Sequence, residues 1–299
     1  MTFGSASDSN VYDAITEASD DARWAFGTGF SDPLAGVDTT VPDGVDGADL
    51  AAYSLMLGDD ALIMSHRLQQ WCTNAPELED EVALANIGLD LLGQARLLLA
   101  RAGAADGSGR DEDALAFGRD EHQFRNVRLA ELENGDFGEL MARLLVFSVW
   151  RLALLARLTG SRDTVLAALA AKGVKEVTYH RDYAAQWLIR LGDGTDFSRE
   201  RAEAGLTEIW PYVAELFSPH VVEQRLAAAG AGVDPGALRA EFDQVMGQVL
   251  DAAGLTVPDV APRAGVAGRT GRDGVHTEVM GYLLAEMQSI ARAHPGATW

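Results

Sequence analysis

Apolar residues recur every three or four positions through most of the chain, which predicts α-helices rather than strands. The clearest case is the segment from Glu77 to Ala102, where Leu84, Leu91 and Leu98 share one apolar face. Acidic residues fill its first turn, where they suit the positive end of the helix dipole. Gly103 follows the last apolar position, so we expect the helix to end there.

The same periodicity predicts further helices that are separated by turn residues. They are expected at Asp49–Trp71, Glu112–Glu133, Asp136–Leu158, Asp163–Leu191, Arg199–Phe217, Pro219–Ala229, Pro235–Ala253 and His276–Ala293, with an irregular stretch at 254–275. Two pairs of long helices, 49–71 with 77–102 and 138–158 with 163–191, indicate an all-α four-helix bundle. The core bundle then occupies about 49–191, and the additional C-terminal helices occupy 198–299.

Composition divides the chain into two parts. Residues 1–47 are polar, acidic and without sustained periodicity, which predicts a disordered N-terminal extension. Residues 48–299 form the helical domain, and they are numerous enough to bury a large core.

The charge balance is strongly acidic, with 45 acids against 24 bases and a net charge of −21. Such a surface repels nucleic acid and anionic membranes, so neither is expected as a partner. Lys172 and Lys175 are the only lysines. This composition is typical of adaptation to high salt, and a GC-rich genome is the alternative explanation.

The single cysteine, Cys72, excludes an internal disulfide and indicates a reducing compartment. No segment has the layout of a secretion signal. The most apolar stretch, Leu140 to Leu158, is interrupted by three arginines and is too charged to cross a bilayer. We therefore expect a cytoplasmic protein.

A four-helix bundle raises the possibility of a di-iron site. That site needs a carboxylate from each of two helices and Glu-x-x-His from each of the other two. The candidate ligands are Asp59 and Asp60 on the first helix, Asp90 on the second, and Glu176 and His180 on the fifth.

The spacing of these candidates does not complete the ligand set. Gly93 stands three residues after Asp90, Val177 stands three residues before His180, and the predicted fourth helix has no acid after Glu139. We predict no catalytic, cofactor-binding or metal-binding residue, and we interpret the remaining groups as remnants of a degenerate metal site. These remnants are Asp60, Asp90, Glu176 and His180.

Structural roles are expected for the same groups. Glu176 and His180 lie one turn apart and are predicted to form a hydrogen-bonded pair. A carboxylate within an apolar helix is costly unless it is paired. Asp90 is therefore expected to meet a buried cation from Arg67, Arg151 or Arg181. The polar segment 118–124 is predicted as a solvated or partner-facing surface.

Long segments of the chain resemble one family, the C subunit of the bacterial-type phenylacetyl-CoA epoxidase. They are LGDDALIMSHRLQQWC (57–72), ELEDEVALANIGLDLLGQARLLL (77–99), DEDALAFGRDEHQFRN (111–126), KEVTYHRDYAAQWLIRLGDGTD (175–196), WPYVAELF (210–217) and HTEVMGYLLAEMQSIARAHPGATW (276–299). The resemblance covers residues 48 to 299 in order.

The resemblance implies a ferritin-like fold and a structural subunit without iron. A homologous A subunit is then expected to carry the di-iron centre and to epoxidise the ring of the CoA thioester with O2. A reductase subunit would deliver electrons from NADPH through flavin and an iron–sulfur cluster, and a small B subunit would help assembly. The present chain would pair with the A subunit and support it.

Two other hypotheses stay open from the sequence alone. The chain could be a self-sufficient ferritin-like di-iron oxidase or ferroxidase with an irregular ligand set, which iron content would reveal. It could also be a scaffold that binds no relative of itself, which would show as the absence of a partner on co-purification.

Overall fold

The computed structural model describes residue 34, residues 36–295 and residue 297. Within these residues the secondary structure is entirely helical apart from one isolated β-bridge, so the all-α prediction is confirmed. The helices are α1 (Gly47–Gln69), α2 (Leu78–Ala105), α3 (Glu112–Phe117), α4 (Arg128–Glu131), α5 (Phe137–Leu158), α6 (Thr164–Gly192), α7 (Asp196–Ile209), α8 (Val221–Ala228), α9 (Arg239–Ala253) and α10 (Glu278–Ala293). The disorder predicted for residues 1–47 lies largely outside the described residues.

The four long helices form the predicted bundle. Helix α1 packs along α2, and α5 packs along α6, while α2 also touches α6. Helices α7 and α9 cover α5 and α6, α8 packs on α1, and α10 packs against α3 and α4. This arrangement agrees with a ferritin-like helical fold, with the additional helices gathered around the bundle.

Aspartates fix the first turns of three of the long helices. The side chain of Asp46 accepts hydrogen bonds from the backbone at the start of α1, and Asp136 and Asp163 do the same for α5 and α6. An aspartate at this position satisfies backbone N–H groups that otherwise have no partner within the helix.

The predicted helix Glu112–Glu133 is wrong, because the chain breaks into α3, a 3-10 turn at Glu121–Gln123, and α4. Asp120 and Gln123 form a capping box around that turn. In segment 118–124, residue 118 and residues 120–123 are exposed, as a surface segment should be, whereas Arg119 and Phe124 are buried.

Prolines account for two other differences from the predicted helices. Helix α7 ends at Ile209, and Pro211 lies in the 3-10 segment Trp210–Phe217 that follows it. Pro235 likewise begins the 3-10 segment Pro235–Leu238 before α9. Proline lacks an N–H group and clashes with the preceding turn of an α-helix, so it stops the regular hydrogen-bond pattern.

Helices α1 and α5 lie at the centre of the fold. Helix α5 is buried along most of its length, including Trp150 and the arginines Arg143 and Arg151. Gly205 of α7 lies against α5 so closely that an added Cβ would come within 2.6 Å of the Glu139 Cα. Small residues at such a crossing allow two helix backbones to approach each other.

Among the described helices, α2 alone has the length and apolar character of a membrane span. Half of its most apolar part is buried within the fold, and core helices of globular proteins have the same length and apolar character. The apolar character of α2 is therefore weak evidence for a membrane.

Candidate functional site

Asp60 of α1 is fully buried and is held by the C-terminal part of the chain. The Arg272 guanidinium donates to both of its carboxylate oxygens, at 2.9 and 3.0 Å, and the Val127 N–H donates to Oδ1 at 2.8 Å. Burial raises the pKa of the Asp60 carboxyl, and the charge of Arg272 opposes that rise. The carboxylate is therefore held by three protein donors.

Arg272 is itself enclosed by acids. Its Nε lies 3.7 Å from Glu223 Oε1, and both side chains are almost completely buried. Burial alone would lower the pKa of Arg272, but the charges of Asp60 and Glu223 outweigh it and raise that pKa. The guanidinium is therefore charged at neutral pH, as is typical of a buried ion pair with several hydrogen bonds.

Asp59, the neighbour of Asp60, has a separate partner. Arg119 donates to both of its oxygens, and the Arg125 N–H donates to Oδ2 at 2.8 Å. The two adjacent aspartates thus bind two different arginines from distant parts of the chain.

The interior between the four long helices contains Arg151 of α5. Its Nε donates to Gln94 Oε1 at 2.9 Å, and Nη1 donates to the Leu57 carbonyl at 3.3 Å. Gln94 in turn donates to Glu176 Oε2 at 2.9 Å. Burial lowers the pKa of Arg151 to about 10, so it stays cationic at neutral pH. A chain of hydrogen bonds therefore links all four helices through a positive charge.

Asp90 lies on the outer side of α2, which corrects two predictions. Its side chain is 38% exposed, and its partner is His180, whose Nε2 lies 3.0 Å from Asp90 Oδ2. None of the three candidate arginines binds Asp90, and His180 does not bind Glu176. Because the Asp90 carboxyl is half-exposed, water can solvate it and no buried cation is required beside it.

These residues do not fit a di-iron centre. Asp60, Asp90 and Glu176 bind an arginine, a histidine and a glutamine, respectively. A Cβ at Gly93 would face open space, so the position three residues after Asp90 does not point into the bundle. In the described ranges, no group of three His, Cys, Asp or Glu side chains is arranged to hold a metal ion. Arg151 adds a cation that would repel iron.

The sequence reasoning missed a second set of buried contacts with the C-terminal segment. His276 Nδ1 lies 2.7 Å from Glu131 Oε2, and its Nε2 lies 3.1 Å from the Phe124 carbonyl. Both ring nitrogens thus face acceptors, which favours the doubly protonated ring. Burial opposes this charge, but the contact with Glu131 outweighs burial and raises the pKa of His276.

The partners of Asp60 and Glu131 could not be recognised in the sequence, because Arg272 and His276 are distant from them along the chain. Arg272 also lies in a segment without helical periodicity. One available indication was the presence of Arg143 and Arg151, both buried, within the apolar stretch 140–158. Buried arginines of this kind usually have internal partners. The buried ion pairs of the described residues are Asp59–Arg119, Asp60–Arg272, Glu223–Arg272, Asp163–Arg101, Glu215–Arg128 and, with a protonated histidine, Glu131–His276.

Comparison with known proteins agrees with the resemblance seen in the sequence. The family described as phenylacetic acid catabolic protein matches residues 38–299. The chain is also similar to the C subunit of the 1,2-phenylacetyl-CoA epoxidase of Escherichia coli (strain K12). The identity is 46% over 251 residues, which cover 84% of this chain and 99% of that relative.

Proposed function

The chain belongs to the family of phenylacetic acid catabolic proteins, and we propose that it is the structural, non-catalytic subunit of a phenylacetyl-CoA epoxidase. In this role it supports a catalytic A subunit that carries the di-iron centre and epoxidises the ring of the CoA thioester. The small B subunit and, more transiently, a reductase with flavin and an iron–sulfur cluster complete the complex. We place the complex in the cytoplasm.

The observation that carries this proposal is the content of the bundle interior. A di-iron subunit requires carboxylates and histidines that converge between the four helices. Here Arg151 and Gln94 lie between the helices and are hydrogen-bonded to each other. A guanidinium is a donor without acceptor capacity, so it cannot ligate a metal. Support for a structural role therefore comes from the side chains that occupy the bundle interior, which are hydrogen-bonding groups instead of metal ligands.

The test is a reconstituted complex that is supplied with phenylacetyl-CoA, NADPH and O2. Omitting this chain is expected to abolish turnover. Complexes with Glu176→Gln or His180→Gln that assemble normally are expected to stay within about tenfold of the wild-type rate, which is a barrier change of roughly 1.4 kcal/mol. A loss of several orders of magnitude in a fully assembled variant complex would restore a catalytic role for this chain.

Iron content separates this proposal from a self-sufficient di-iron oxidase. The purified chain, loaded with Fe(II) or Mn(II) and then desalted, is expected to retain no stoichiometric iron or manganese. The assembled complex is expected to contain iron in proportion to its A subunit. About two iron ions per copy of this chain alone would refute the proposal.

A further inference from the structure

A cavity of about 640 Å³ lies at the end of helix α1, between the turn that follows α1 and the loop from α4 to α5. We call it the α1-end cavity. Its walls include Arg67, Gln70, Trp71, Asn74 and Glu133. Cavities of about 300–1,000 Å³ are large enough for small organic ligands. None of the bundle-interior side chains described above lines it.

Two buried arginines hold the loop that forms one wall of the α1-end cavity. Arg67 donates from Nε and Nη2 to the Glu131 carbonyl, at 3.0 and 2.7 Å, and Arg143 donates to the Leu132 and Glu133 carbonyls. Among the described residues neither guanidinium forms an ion pair. Burial and the charge of Arg67 lower the pKa of Arg143 to about 9, so both arginines are cationic at neutral pH. Carbonyl oxygens thus bind their N–H groups, but no carboxylate in contact balances their charge.

The side chains of the cavity wall retain hydrogen-bond donors. Gln70 Oε1 already accepts from Arg67 Nη1 and Asn134 Nδ2, each at 3.1 Å. Gln70 Nε2 donates only to Glu286, and Asn74 Nδ2 donates only to the Gln70 carbonyl. A guanidinium carries five N–H groups and a side-chain amide carries two. Within the described ranges, two N–H groups of Arg67 and one each of Gln70 and Asn74 therefore have no acceptor.

Trp71 supplies an aromatic wall beside these donors. Its ring packs against Phe137, with ring centroids 6.0 Å apart, and the side chain is only partly buried. Aromatic rings pack favourably on one another, and a carboxylate can accept from a guanidinium through both of its oxygens. A ring that bears a carboxylate would therefore match both parts of the cavity.

Two carboxylates near the cavity oppose an anion. Glu133 is exposed on the cavity wall, and Glu286 is 62% exposed beside Gln70. Because water and salt screen exposed charges, these acids weaken the attraction for an anion without removing it. An organic ammonium ion could instead use Glu133 and the Trp71 ring, but the free donors and the charge of Arg67 disfavour it.

We propose that the α1-end cavity binds an aromatic carboxylate. The carboxylate accepts hydrogen bonds from Arg67, Gln70 and Asn74, and the ring packs against Trp71. The inference stands or falls independently of the proposed function, because it uses no contact with another subunit.

The test measures binding of phenylacetate to the purified full-length chain by titration calorimetry, in about 0.15 M salt to screen the net charge. The comparison probes are acetate, which lacks the ring, and 2-phenylethylamine, which has the same ring and the opposite charge. Phenylacetate is expected to bind with a Kd below about 1 mM, and each comparison probe at least about tenfold more weakly. The NMR signal of the Trp71 indole N–H, assigned with Trp71→Phe, is expected to shift with phenylacetate.

Variants of the cavity wall locate the binding site. Gln70→Glu replaces a donor with a carboxylate and is expected to raise the Kd for phenylacetate at least about tenfold, because like charges repel. Gln244→Glu makes the same change at an exposed position of α9 outside the cavity and is expected to stay within about threefold of wild type. Glu133→Gln removes an opposing charge and is expected to lower the Kd about two- to fivefold. Each variant is melted to confirm its fold.

Each other result overturns the inference. No saturable binding of phenylacetate up to about 10 mM would refute the site, as would equal effects of Gln70→Glu and Gln244→Glu. Acetate that binds as tightly as phenylacetate would show an anion site to which Trp71 contributes nothing. If 2-phenylethylamine binds more tightly and Glu133→Gln weakens that binding, the cavity takes a cation and the inference is wrong.

Discussion

Replacing Asp60 with alanine is expected to destabilise the fold far more than the same change at Asp90. Asp60 is fully buried and accepts three hydrogen bonds, two of them from Arg272. In Asp60→Ala the guanidinium keeps the Met56 and Arg125 carbonyls and the more distant Glu223, but it loses its principal counter-charge.

The expected magnitude follows from burial. Removing one partner of a buried ion pair costs on the order of 3–5 kcal/mol, because a charge is left unpaired. For a protein of this size, that corresponds to a fall in Tm of about 6–20 °C. Asp90→Ala is expected to cost about 1 kcal/mol, since Asp90 is half-exposed and the change removes one hydrogen bond, to His180.

The assay is urea unfolding at pH 7, followed by circular dichroism, with the free energy of unfolding compared among wild type, Asp60→Ala and Asp90→Ala. Asp60→Asn serves as a control that keeps the side-chain volume and one acceptor oxygen. A loss for Asp60→Ala below about 1 kcal/mol, or one no larger than for Asp90→Ala, would refute the reasoning about buried charge.

Three further predictions concern salt, pH and packing. The net charge of −21 opposes the compact state, so Tm is expected to rise when KCl is increased from low to molar concentration; an unchanged or lower Tm would contradict this. The raised pKa of His276 means that its contact with Glu131 stabilises fully below about pH 6.5 and is lost as pH rises through the folded pKa. The stability difference between wild type and His276→Gln should therefore shrink from pH 6 to pH 9, and a constant difference would speak against a charged histidine. Gly205→Ala is expected to cost about 1–3 kcal/mol, because its Cβ would meet the α5 backbone. Gly247→Ala, which meets nothing within 4 Å, should gain about 0.5–1 kcal/mol, and equal effects would refute the packing argument.

The bundle was predictable because its determinants are local in sequence. The apolar spacing of α2 and the aspartates that precede α5 and α6 each act within a few residues. The breaks within 112–133 were missed because the burial of Arg119 depends on Asp59, which lies 60 residues away. Helical periodicity carries no information about such a partner.

The candidate site shows the same limit. The sequence identified Asp60, Asp90, Glu176 and His180 as groups of interest, and the missing ligand at Gly93 was evident from spacing alone. Their partners were not evident. An arginine was predicted as the partner of Asp90, but the observed partner is His180. Asp90 faces outward, and only the packing of α6 determines what lies beside it. Whether a charged residue on an apolar helix faces inward or outward depends on tertiary contacts.

The ion pair between Asp60 and Arg272 also restricts the order in which the protein can fold. The two residues are separated by 212 positions, so a ribosome that adds about 5–20 residues per second needs roughly 10–40 s to pass from one to the other. During that interval helix α1 contains a carboxylate that is destined for the core and has no counter-charge. Burying it early would cost several kcal/mol, so the helices synthesised first should stay loosely packed until Arg272 emerges. Consolidation of the core around Asp60 is therefore expected to be a late event in folding.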